Sequence, residues 1–131
     1  MSRNIIATCG GMKDGTIKFW NLSTGELVTN VVAASKQTSA IVFDQHYGEM
    51  ATTHGGNKNC INVWKYSAAS SKFSLAHEIK CVNRPINMVK SACDGFVLVT
   101  NAAQQLEFFD LFKKDEEESL RKKHFGFNGI R

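Results

Sequence analysis

Three short stretches decide the fold: "IKFWNL" (17–22), "INVWKY" (61–66) and "LEFFDL" (106–111). Their starts lie 44 and 45 residues apart. Each alternates with period two. In the first, Ile17, Phe19 and Asn21 fall on one side and Lys18, Trp20 and Leu22 on the other. That is the period of a β-strand. A large aromatic closes the same position each time: Trp20, Trp64 and Phe109.

A repeat of about 40–45 residues, with an aromatic near the end of a short strand, is the pattern of a WD40-type β-propeller. The flanking segments fit it. "NIIATC" (4–9), "EMATTH" (49–54) and "FVLVTN" (96–101) read as the strand before each aromatic one. Asp14-Gly15 and Asp94-Gly95 are tight hairpin turns. Ser23-Thr24-Gly25 turns the chain into an outer strand, "SAIVFD" and "PINMVKSA" are inner strands, and "KFSLAHEIK" is the outer strand of the second unit. The first unit then has three strands without an innermost one, the second has four, and the third has three without an outermost one. The predicted fold is all-β: a partial WD40 propeller of about two and a half blades, each a four-stranded antiparallel sheet when complete. Residues 1–112 form the blades and 113–131 a charged linker and tail, helical or flexible. A propeller closes with four or more blades, and each blade buries its faces against its neighbours. The expected reading is the C-terminal piece of a longer propeller, with an open face at each end and marginal stability alone. Trp20, Trp64 and Phe109 are expected to be blade-packing aromatics rather than a ligand groove.

Composition narrows the function. At 131 residues, 43% hydrophobic and 21% charged, the chain has the make-up of one globular domain. It contains no apolar run of membrane-spanning length, and its formal charge of +4 is scattered rather than gathered into a basic stripe. Neither a membrane nor a nucleic acid is expected as partner. Cys9, Cys60, Cys81 and Cys93 show no zinc-site spacing and read as reduced thiols of a nuclear and cytoplasmic protein. His54 lacks a carboxylate or cysteine at a recognised spacing and reads as a hydrogen-bonding turn residue; His46, His77 and His124 read as surface residues. Gly10-Gly11 with Gly15 is followed by a strand rather than a helix, which favours a blade turn over a phosphate loop. Asp44, Glu49 and Asp94 read as turn residues. No nucleophile–base pair emerges, so neither catalysis, metal nor cofactor is expected.

The tail is more pointed. "KKDEEESLRKKH" (113–124) pairs Glu117 with Arg121 and Glu118 with Lys122 at i,i+4, which suits a solvated spacer. It leads to "GFNGIR" (126–131). Arg131 joins a guanidinium to a terminal carboxylate, and Ile130 adds a branched apolar side chain. One acidic, partly apolar groove can engage all three.

At "CGGMKDGTIKFWN", "TTHGGNKNCINVWKY" and the terminal "IR" the chain resembles the fizzy family, the substrate-recruiting activators of the anaphase-promoting complex. The resemblance covers nearly the whole chain and is looser in the third unit; its divergence is that of a specialised branch, such as a meiotic one. It implies a seven-bladed propeller that captures degron-bearing substrates. It also implies an Ile-Arg tail, here Ile130 and Arg131, docked in a TPR subunit of the ligase. The family's last blade carries an acidic pair that can meet a basic degron residue. Here the matching positions are Ala103 and Gln104, and the tryptophan position is Phe109. Gln104 remains a possible part of the degron platform, without the charge-assisted bond. The competing reading is a generic WD40 interaction scaffold with no ligase role.

Overall fold

The structure, a computed structural model, describes residues 4–33, 37–44, 47–92 and 96–112. They form ten strands in chain order: β1 (Ile5–Cys9), β2 (Thr16–Asn21), β3 (Leu27–Val32), β4 (Gln37–Asp44), β5 (Glu49–Gly55), β6 (Cys60–Ser67), β7 (Lys72–Lys80), β8 (Pro85–Lys90), β9 (Val97–Asn101) and β10 (Leu106–Phe109). These make three antiparallel meanders: β1-β2-β3, β4-β5-β6-β7 and β8-β9-β10. The partial propeller of the sequence reading is therefore present, three strands, four and three. The turn at Asp94-Gly95, Cys93 and the tail from 113 onward lie outside the described residues.

Local chemistry sets the turns. Gly15 leaves the β1–β2 hairpin with φ +61°, a conformation costly for any residue with a Cβ. Asn21 organises the next turn: its Oδ1 accepts the N–H of Ser23 at 2.8 Å, and its carbonyl accepts the N–H of Gly25 at 2.8 Å.

Strand register sorts the side chains into faces. In the central sheet Met50, Thr52 and His54 lie opposite Trp64, Asn62 and Cys60 on one face; Ala51 and Thr53 lie opposite Val63 and Ile61 on the other. Each face has its own core. Met50 and Trp64 pack with Ile17, Phe19 and Ala33 of the first unit. Ala51, Ile61, Val63 and Ile79 pack with Met88, Val97, Val99 and Phe109 of the third. The central sheet is thus sandwiched between the other two, which is why its middle strands β5 and β6 are buried over nearly continuous stretches, in contrast to the alternation of β9.

Backbone irregularities recur in matching places. The ladder slips between Phe19 and Trp20 and again between Val63 and Trp64, each time just before the indole. On the inner strands it slips at Thr38/Ala40 and at Pro85/Asn87. Bulges of this kind increase local twist, so each splays its sheet from the inner to the outer strand. The inner bulge residue Ser39 has its hydroxyl free of the ladder, and it donates to the carbonyl of Pro85 at 3.0 Å across the junction.

One ion pair also spans that junction. Asp44, read from sequence as a turn residue, is the buried last residue of β4, and Lys90 Nζ lies 3.2 Å from its carboxylate. The ammonium also lies 5.9 Å from the centre of the Phe112 ring. Lys90→Met is expected to cost about 2 kcal/mol, because it takes the paired ammonium away from a buried carboxylate. The check is a lowered urea midpoint with an unchanged m-value.

The two remaining faces have no neighbour among the described residues. On the first sheet Ile6, Leu27 and Val32 are exposed beside the part-buried Trp20. On the third, Val89, Leu106 and Phe108 are exposed.

Candidate peptide-binding edge

Because the strands are antiparallel and consecutive, their connections alternate between two ends. The β1–β2, β3–β4, β5–β6, β7–β8 and β9–β10 connections share one of them. That end carries most of the polar side-chain bonding between elements, and it holds Gln104.

The centre of this edge is His54, fully buried at the end of β5. Trp64 Nε1–H donates to Thr52 Oγ1 at 2.8 Å, and that hydroxyl lies 2.7 Å from His54 Nε2. The one hydroxyl thus links the indole to the imidazole. Nδ1 faces Thr38 Oγ1 at 3.3 Å, and the ring also bonds the backbone of Gln37. Burial holds the imidazole neutral, with its pKa pushed down to about 4; the Gln37 backbone bond and the Glu78 charge oppose this more weakly. His54 is thus a clamp between β4, β5 and β6 rather than a base aimed at solvent. Burial likewise pushes up the Cys60 thiol across the ladder from it.

Beside His54, Arg84 reaches back from the β7–β8 connection to the side chain of Gln37. Its side chain lies so close to Gly55 that a Cβ there would come within 2.6 Å of Nε. The next connection is organised by Asn101, in the register position that His54 holds in β5. Asn101 Nδ2 donates to Glu107 Oε1 at 2.6 Å and to Gln105 Oε1 at 3.2 Å, and its Oδ1 accepts the N–H of Ala103 and of Gln105. Asn83 Nδ2 adds a further bond to Gln105. This network presents Gln104 at the tip of the turn, exposed, with φ +60°. A non-glycine residue in that region carries strain of roughly 1 kcal/mol. Around Gln104 the edge is lined by amides and the Arg84 guanidinium, suited to hydrogen-bonding an extended peptide, and its carboxylates Asp14, Glu78 and Glu107 are each already bonded to a neighbouring side chain.

The three aromatics differ in setting. Trp64 is buried between the first two sheets and Phe109 between the last two. Trp20 lies on the outer face of the first sheet, where its Nε1–H donates to Thr8 Oγ1 at 2.8 Å. Phe109 lies opposite Val97, with Val99 where Thr8 and Thr52 stand in the other sheets, so the third sheet has lost both halves of the indole–hydroxyl pair together. Ile130 and Arg131 lie outside the described residues. Among the described residues no group of three or more His, Cys, Asp or Glu could hold a metal, and Cys9, Cys60 and Cys81 are not in disulfides.

Repeated meanders, indole–threonine pairs on matching strands and junctions packed face to face define a WD-repeat β-propeller segment. Sequence comparison carries this further. The chain is 32% identical over 115 residues to the WD repeat-containing protein slp1 of Schizosaccharomyces pombe, covering 86% of this chain and 22% of that protein. It is 32% identical over 114 residues to the anaphase-promoting complex subunit cdc20 of Dictyostelium discoideum, covering 87% and 22%. A chain in the crystal structure of the mitotic checkpoint complex superposes with a TM-score of 0.77 at 30% identity, covering 84% of this chain and 34% of that one. Over more than four-fifths of its length the chain is similar to WD-repeat proteins of the fizzy type. It spans about a fifth of the length of the curated relatives it matches. No protein-family model matches it. A Bacteroides uniformis protein assigned as a 6-phosphogluconolactonase superposes with a TM-score of 0.76 at 9% identity over 95% of this chain, which shows the shared fold alone.

Proposed function

We propose that this chain works as part of a non-enzymatic, substrate-recruiting activator of the anaphase-promoting complex. The observation that supports this best is the identity with relatives named as subunits and cofactors of that complex, sustained over more than four-fifths of the chain. In this reading the blades contribute one side of a degron-binding platform, with Gln104 on its amide-lined edge, and Ile130 and Arg131 dock into a TPR subunit. The protein then works in nucleus and cytoplasm, and its divergence fits a specialised, meiotic branch. The terminal guanidinium and carboxylate are read together, so Arg131→Ala and a short extension beyond Arg131 are both expected to weaken capture of purified complex at least tenfold, about 1.4 kcal/mol. The chain is immobilised by its N-terminus and retained TPR subunits are measured. Equal capture by all three proteins would sink the docking role. Failure of the native chain to capture the complex would favour a WD40 scaffold without a ligase role.

A further inference from the structure

The two internal junctions share a polarity. The face of the central sheet that carries Trp64 meets the face of the first that carries Ile17 and Phe19. The face of the third sheet that carries Phe109 meets the face of the central one that carries Ile61 and Val63. One indole-type face always meets one aliphatic-type face. The uncovered ends are the remaining member of each kind. The first sheet exposes its indole-type face, with Trp20 already hydrogen-bonded to Thr8 as Trp64 is to Thr52. The third sheet exposes its aliphatic-type face, where Leu106, Phe108, Leu98 and Val89 hold the register positions of Ile61, Val63, Ala51 and Val42. One end of the molecule is therefore built like the surface that the other end would meet inside a ring.

We propose that two copies of this chain associate head to tail, the third sheet of each docking on the first sheet of the other, to close a six-sheet ring. Head-to-tail contacts that close by rotation give rings, and six blades lie within the range that propellers adopt. The area suffices. Val32 is 75% exposed, and Ile6, Leu27 and Val89 are each close to half exposed. With about 200 Å² for a fully exposed large side chain, each face offers roughly 400 Å² of apolar surface. Two junctions between two copies then cover about 1,600 Å², within the range of stable interfaces. The proposal concerns the isolated chain and does not depend on any role with the ligase.

Sedimentation velocity of the pure chain tests it. The expected result is a species of twice the 14.5 kDa chain mass that dissociates on dilution. Val32→Lys blocks the first sheet and Val89→Lys the third; both sites are exposed, and strand-type circular dichroism confirms that the variants fold. Each variant alone is expected to be monomeric, since either change damages both junctions. Mixed together, they are expected to recover a dimer, because one pairing keeps an unaltered face on each partner. A native chain still monomeric at about 100 µM overturns the proposal and leaves the faces to the blades of a longer relative. A dimer that survives in either single variant overturns the head-to-tail geometry, as does open-ended polymer.

Discussion

Trp64→Ala is expected to remove about 3–5 kcal/mol of stability, enough to unfold most of the chain at room temperature. The indole is 4% exposed and fills the junction between the first two sheets with Met50, Ile17 and Phe19. Its removal opens a cavity that β-sheets on both sides are too regular to collapse into, and it leaves Thr52 without its indole donor. Trp64→Phe separates the two losses: it keeps most of the volume and drops only the N–H, at a cost nearer 1–2 kcal/mol. Trp20→Ala supplies the contrast. The same hydrogen bond is lost, but on a face that no other sheet covers among the described residues, so the cost is expected to be about 1 kcal/mol. Urea midpoints for the three variants check the ranking, and an equal loss at Trp20 and Trp64 would contradict the packing described for this junction.

The second large effect is acid destabilisation through His54. Its folded pKa is about 4 against an ordinary 6.5. Between those values the unfolded chain takes up a proton that the folded one refuses. Stability therefore falls as pH drops from about 6.5 to about 4, levels below that, and is fully restored above 6.5. The difference corresponds to about 3 kcal/mol. Glu49 acts in the opposite direction: burial holds its carboxyl above the usual range, so acid protonates the folded form first, but its partial exposure keeps that contribution smaller. His54→Gln is expected to flatten the descending limb of a stability–pH profile while lowering the neutral plateau. A native profile that is level between pH 6.5 and 4 would contradict the buried neutral imidazole.

The strands were legible because their signal is local and repeated. A period of two, an aromatic at a fixed offset and glycine-containing turns each lie within a few residues, and a second copy 44 residues on reinforces the first. Strand ends were legible to within one or two residues. The largest difference is at β10, expected to run to Leu111 but ending at Phe109, after which Leu111 and Phe112 leave the ladder and bury against the third sheet's inner face. Contacts between sheets were hidden. Nothing near Asp44 announces Lys90, 46 positions away, and a carboxylate followed by a turn looks like any other turn residue. His54 was recognised as a hydrogen-bonding residue, but not as a buried link from Trp64 to β4, because the matching positions in the other units are Gly10 and Asn101 and the repeat gives no second example. The side-chain amide of Asn62 and the hydroxyl of Thr53, buried without a hydrogen-bond partner among the described residues, carry no sequence signal at all. Gln104 was placed on its loop by the resemblance, whereas its exposed, strained perch depends on Asn101.

The bond from Ser39 to the carbonyl of Pro85 bears on how such proteins can change over time. It joins neighbouring modules near the hub through a main-chain oxygen, a group that every amino acid possesses. The incoming strand need not supply a particular side chain there, only its peptide backbone at the right height. Whole modules could then be shuffled, duplicated or lost by recombination with little penalty at the hub, leaving the rim and the loops to evolve new recognition.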